Sequence, residues 1–177
     1  SVRVRSGPQQ NLMLVNQHKR LFNLDPPRQL KYVYVWGKGL AIFTNKNFKK
    51  GENVARLKGR SVTASISTPE AIQISENKFV DTKYLVPEDF INHSCSPNVR
   101  ADMIKRKFIA IKNIPRNTEI TFNYLTTEYD MNKYGTDFEC SCGSQNCFGY
   151  IGGFRFLTRT QKLKLKPYLS PFLLGKI

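Results

Sequence analysis

No run of apolar residues in this chain is long enough to read as a leader or a membrane span, so a membrane-embedded role is not expected. There is no internal repeat and no low-complexity segment, which sets aside solenoids and simple linkers. Acidic residues are scarce: 13 Asp and Glu stand against 28 Lys and Arg, a net charge of +15. That excess favours encounter with acidic partners, nucleic acid first. The basic residues are nevertheless scattered. The clusters at Lys49-Lys50, Lys105-Arg106-Lys107 and Lys162-Lys164-Lys166 are short, and each alone reads as a solvated face.

Cysteine is the scarcity that informs most. The 177 residues hold four. Cys95 stands alone mid-chain, while Cys140, Cys142 and Cys147 fall within eight residues. Three clustered thiols and one remote thiol match a tetrahedral four-thiolate zinc site. Two disulfides are the competing arrangement, but a C-x-C pair places its Cβ vectors badly for bonding to each other. A four-thiolate zinc has no open coordination position, so its role would be structural. It would staple the segment at 140–150 to the loop around residue 95.

The rest is enough for one compact domain with short extensions: 40% of the chain is apolar and 12% is aromatic. Residues 1–27, punctuated by Gly7-Pro8 and Pro26-Pro27, read as a basic N-terminal extension with a short helix near Leu12–Leu21. From Lys31 the chain turns β-branched and aromatic. Strands are expected at Tyr32–Trp36, Leu40–Phe43, Asn53–Leu57, Phe108–Ile111 and Glu119–Phe122, with a hairpin pairing Ala71–Ile74 and Asn77–Val80. Gly37-Lys38-Gly39, Lys50-Gly51-Glu52 and Ile114-Pro115-Arg116-Asn117 supply turns. Helix is confined to small pieces; the best begins at Thr158, where Thr158-Arg159-Thr160-Gln161 fits a capping box, and Pro167 stops it. The apolar tail Tyr168–Leu174 is expected to dock on the body. The fold class is β-rich α+β.

Several fragments occur in a fixed order: Gly37-Lys38-Gly39-Leu40, then Phe90-Ile91-Asn92-His93-Ser94-Cys95-Ser96-Pro97-Asn98, then Glu119-Ile120-Thr121-Phe122-Asn123-Tyr124, then Cys140-Ser141-Cys142-Gly143 through Cys147-Phe148-Gly149. This order resembles the SET-domain protein-lysine methyltransferases of small stand-alone type, over roughly residues 30–153. The resemblance implies a SET fold of short strands around a pseudoknot, against the usual rule of unthreaded connections. It places the SET domain at 28–130, a post-SET zinc segment at 131–153 and a helical tail at 154–177. It implies S-adenosylmethionine as methyl donor and a protein lysine as acceptor, a histone tail by preference, with DNA or nucleosome contact through the basic surface. A monomer within the cell is expected, in the nucleus or on chromatin, or otherwise in the cytoplasm.

By the same resemblance Tyr124 stands at the centre of a lysine channel, and Phe122, two residues earlier on one strand face, tunes the number of methyl groups added. Without a tyrosine hydroxyl there, di- or trimethylation is sterically allowed. Asn92 and His93 would contact the donor, as would Lys38, Gly39 and Leu40 through their backbone, Phe148 over the adenine, and Tyr84. Cys95, Cys140, Cys142 and Cys147 would hold zinc. Read singly, Tyr124 is a packed tyrosine at a strand end, Lys38–Leu40 a β-turn, and His93 a core histidine or a zinc ligand. Three positions depart from the family pattern: Leu57 where a second tyrosine is usual, Asn123 for an acidic residue, and Asp89 for a basic one. A non-catalytic SET-like module that binds nucleic acid or chromatin is the alternative.

Overall fold

A computed structural model describes residues 26–36, 38–82 and 84–177. The helix expected near Leu12–Leu21 and the residue Gly37 lie outside the described residues. In chain order the strands are β1 (Leu30–Val35), β2 (Gly39–Thr44), β3 (Asn53–Arg56), β4 (Arg60–Thr63), β5 (Ile72–Ser75), β6 (Lys78–Asp81), β7 (Asn92–His93), β8 (Val99–Asp102), β9 (Lys107–Ala110), β10 (Thr121–Phe122), β11 (Phe138–Glu139) and β12 (Tyr150–Ile151). Two short helices come after them, α1 (Arg159–Leu165) and α2 (Pro171–Leu174).

The strands form small sheets. β1 and β2 make a hairpin in which Val35 faces Gly39. β9 lies between β3 and β8, and β6 between β4 and β5, all antiparallel. The expected strands and the hairpin across Ser75-Glu76 are therefore present. One expected strand is shorter than its sequence suggests: of Glu119–Phe122 only Thr121 and Phe122 are in β10, while Glu119 forms an isolated bridge to Phe43. β7 pairs with β10 in parallel, Asn92 facing Thr121 and His93 facing Phe122. This pairing joins the two longest motifs of the sequence. Asn98 locks it, its Nδ2 donating to the Glu119 carbonyl at 2.7 Å and its Oδ1 accepting from the Thr121 N–H at 3.0 Å.

Alternation of apolar residues puts Ile42, Val54, Val99, Phe108, Ile114 and Ile120 into one core, against which Leu57, Phe90 and Tyr124 pack. A second, smaller cluster of Leu125, Met131 and Ile151 collects Tyr124, Phe138, Phe148, Cys95 and Cys140 around it. Tyr124 touches both clusters, so it stands at their junction.

The C-terminal elements behave as read. Thr158 and Gln161 form the capping box of α1, and Leu169 and Leu173 bury against Phe154. The chain returns from the cysteine loop along residues 128–131: the Phe154 N–H donates to the Glu128 carbonyl and the Arg155 N–H to that of Tyr129, both at 2.9 Å. Gly153 makes this approach possible. Its φ of +118° and ψ of 163° lie where only glycine is comfortable, and a Cβ there would sit 2.5 Å from the Tyr129 carbonyl oxygen. Gly153→Ala is expected to destabilise the protein by ~2 kcal/mol or more, read as a lowered midpoint in urea unfolding.

Candidate active site and metal centre

The four sulfur atoms lie within 4.8 Å of one another. Cys95 Sγ is 3.8 Å from Cys140 and 3.9 Å from Cys147, and Cys142 is 3.7 Å from Cys147. A regular tetrahedron with metal–sulfur bonds of about 2.3 Å has sulfur–sulfur edges of about 3.8 Å, so the spacing fits a zinc ion. None of the four is in a disulfide. Backbone N–H groups point at the sulfurs, Phe148 at Cys95 and Gly149 at Cys147, both at 3.4 Å. Such donors favour thiolates over thiols. Burial opposes ionisation at Cys142, but hydrogen bonds from the Cys95 and Ser144 backbone and the neighbouring thiols outweigh it and bring the group to about 6. A divalent cation would ionise the rest.

His93 connects this cluster to Tyr124. The imidazole is buried. Its Nδ1 accepts the Tyr124 N–H at 3.1 Å, which leaves the proton on Nε2, 3.2 Å from Cys95 Sγ. Burial lowers its pKa to about 4, so the ring is neutral and this tautomer holds at physiological pH. Both ring nitrogens of His93 are thus engaged, one with Tyr124 and one with Cys95. The ring orients a thiolate on one side and the backbone of Tyr124 on the other, in the manner of an outer-shell metal partner.

Tyr124 is not on the same strand as Phe122. It begins a 3-10 turn, Tyr124–Thr126, that Asn123 caps by accepting the Leu125 N–H. Strand alternation therefore does not explain their proximity, yet the rings do meet, with centroids 4.7 Å apart. His93 and Phe138 stand edge-on to Tyr124 at 5.3 and 6.1 Å. The Tyr124 hydroxyl donates to the Ile91 carbonyl at 2.9 Å. Burial first, then the carboxylates of Glu128, Glu70 and Glu119, raise its pKa well above the ordinary tyrosine value. The phenol is therefore held protonated and serves as a hydrogen-bonding group, not as a base. Asn123 does with one amide oxygen the capping that the more usual carboxylate would do.

Asn92 lies half-buried beside the β1–β2 hairpin. Its Nδ2 donates to Glu119 Oε1 at 3.1 Å and to the Leu40 carbonyl at 3.3 Å. Glu119 also pairs with Lys38, Oε2 to Nζ, at 2.9 Å. The Lys38 N–H closes the hairpin turn on Val35, and Gly39 has φ of +86°. Lys38, Gly39, Leu40 and Asn92 thus come together. Phe148 packs by the cysteine cluster, and Tyr84 is exposed ahead of Pro87–Phe90. Sequence reasoning gave no role to Glu119 or to the linking His93 ring, and it offered Glu128 only as part of an acidic groove, not as a buried group. Glu128 is a carboxylate that accepts the Gln73 N–H at 3.1 Å and whose burial lifts it to about 7. The His93 link had a signal: in Asn-His-x-Cys the ring and the thiol are two residues apart.

Residues 39–125 match the family model described as SET domain. These residues form a SET domain. Among its relatives is the methyltransferase flvH of Aspergillus flavus, 36% identical over 49% of this chain and 49% of that one. A histone-lysine N-methyltransferase, H3 lysine-36 specific, of Chaetomium globosum is 35% identical over 53% of this chain and 11% of that one. The chain thus spans about half the length of the first relative and a tenth of the second. Among solved structures, KRYPTONITE in complex with mCHG DNA and SAH has a TM-score of 0.56 at 22% identity, over 71% of this chain and 30% of that one. The methyltransferase domain of human SETMAR has 0.53 at 20%, over 70% and 58%. These likenesses agree on the SET fold, and the four-cysteine cluster is consistent with the family's post-SET zinc site.

The cluster predicts a countable metal. Purified protein should carry about one zinc per chain, and Cys95→Ser should lose most of it and unfold at lower temperature. Elemental analysis with thermal melting checks both.

Proposed function

We propose that the chain is an S-adenosylmethionine-dependent protein-lysine methyltransferase, with a histone tail as preferred substrate. The observation that carries it is the Tyr124 site: a protonated phenol among Phe122, His93 and Phe138, at the junction of the SET core and the cysteine segment. The family match and the histone-lysine methyltransferases among the relatives support it.

S-adenosylmethionine, when bound, supplies a methyl group on a sulfonium. Lys38, Gly39, Leu40, Asn92, the His93 backbone, Phe148 and Tyr84 would hold it, and the residues' own task is alignment and exclusion of water. Because the Tyr124 proton goes to the Ile91 carbonyl, the phenol oxygen has lone pairs free. They accept an N–H of the incoming lysine and so aim the nitrogen lone pair away from the ring. Lysine must arrive neutral; its ordinary pKa of ~10.4 falls in an apolar channel, through desolvation and any nearby cation. Phe122 is buried and carries no hydroxyl to hold a water beside the amine, which leaves room for di- and trimethylation. Zinc would be structural, holding the cysteine segment as a wall of the channel.

The +15 charge suits contact with DNA or nucleosomes. Among the described residues no helix is long and apolar enough to cross a membrane. Chromatin is the location that this reading favours, and a monomer is its simplest assembly. The domain limits keep to the sequence reading, with the SET domain at 28–130, the zinc segment at 131–153 and the tail at 154–177. A non-catalytic binding module draws on one observation, Leu57, which packs against the main core where a tyrosine is usual.

Radiolabelled S-adenosylmethionine offered with core histones, nucleosomes and cell lysate separates the two. Labelling of a discrete band, falling about 100-fold in Tyr124→Phe, supports the enzyme, and mass spectrometry should find more than one methyl group. A zinc-loaded protein that binds no donor sinks it.

A further inference from the structure

Glu119 is held in a way that its own stability contribution does not explain. Its backbone is pinned on two sides, by the bridge to Phe43 and by Asn98 Nδ2 on its carbonyl at 2.7 Å. Its side chain, largely covered, reaches Lys38 with one oxygen and Asn92 with the other. The Lys38 side chain is about one-third exposed, and a solvated pair of this kind adds little to the stability of a fold. Orientation is what the arrangement provides.

The Asn92 amide shows what is oriented. Its nitrogen carries two hydrogens, and both face groups that only accept, Glu119 Oε1 and the Leu40 carbonyl. The amide therefore has one permitted orientation, with Nδ2 inward and Oδ1 outward. No hydrogen bond to Oδ1 is present among the described residues, while Nδ2 is held at the Leu40 carbonyl. An outward amide oxygen suits a cationic hydrogen-bond donor; a flipped amide would offer two N–H groups and repel one.

We infer that Glu119 is a positioning residue for the donor: through Asn92 it makes the cleft selective for a ligand bearing an ammonium group, which the amino-acid end of S-adenosylmethionine presents. This rests on the reading under Proposed function. The Lys38 ion pair keeps the Glu119 carboxylate neutralised and turned toward Asn92, so Asn92 Oδ1, not Glu119, meets the ammonium. The selectivity is thus set by a residue that need not touch the ligand.

Calorimetric titration of the zinc-loaded protein with two probes tests this: S-adenosylhomocysteine and its analogue lacking the α-amino group. Glu119→Ala should weaken the first about tenfold, the worth of one charge-assisted hydrogen bond, and leave the second unchanged. Glu119→Gln keeps an acceptor for Asn92 Nδ2 and should stay within about twofold for both. In turnover, Glu119→Ala should raise KM for the donor with kcat little altered. Zinc content and melting temperature show whether each variant is folded. Equal weakening of both probes, or of neither, overturns the inference while leaving the donor reading intact. Wild-type protein that binds neither probe overturns both.

Discussion

The whole site depends on holding residues 140–150 against Cys95. The segment has few other ties: two-residue strands β11 and β12, a partly buried Phe148, and a few backbone bonds. Such a loop cannot bury enough apolar area to offset the entropy of ordering it. Four thiolates around one cation would replace that missing core, as metals do in small segments generally. Because Cys95 is one of the four and His93 sits against its sulfur, ordering the loop also fixes the backbone of Tyr124.

Polarity is concentrated where the strands of the two motifs meet. His93, Asn98, Thr121 and Asn123 are all buried, and every one has a named partner across the β7–β10 pairing or within the turn just after it. A buried polar network of this kind is rigid where it is satisfied; Asn123 Nδ2 is its one buried atom without a hydrogen-bond partner among these four side chains. The rings of His93, Phe122 and Phe138 all contact that of Tyr124 beside the network. The neighbouring acidic groups are mostly committed: Glu88 pairs with Lys58, Asp130 with Arg155, and Glu76 with Lys176. Glu128 and Glu70 lie close enough to raise the Tyr124 pKa.

Much of the framework was legible from local pattern. Tyr32–Val35, Ile42–Phe43 and Phe108–Ala110 announce strands because β-branched and aromatic residues suit a pleated surface, and Thr158 with Gln161 announces a helix start. β7, β10, β11 and β12 are two residues long and exist only through partners elsewhere, so they have no local signal. The same division holds at the site. Tyr124 and the cysteines could be named from motif and spacing. Glu119 reads in sequence as one more strand residue, and its meaning comes from Asn92, 27 positions earlier. Phe122 and Tyr124 were expected to meet for the wrong reason, since a turn and not strand alternation brings their rings together.

If the metal-held loop completes a working lysine site, activity must depend on the metal. The most direct measurement is methyl transfer by protein stripped of metal with a chelator and then resupplied with zinc, donor and histone being present throughout. Transfer is expected to disappear with the metal and to return with zinc. Transfer that continues undiminished in metal-free protein would contradict this dependence.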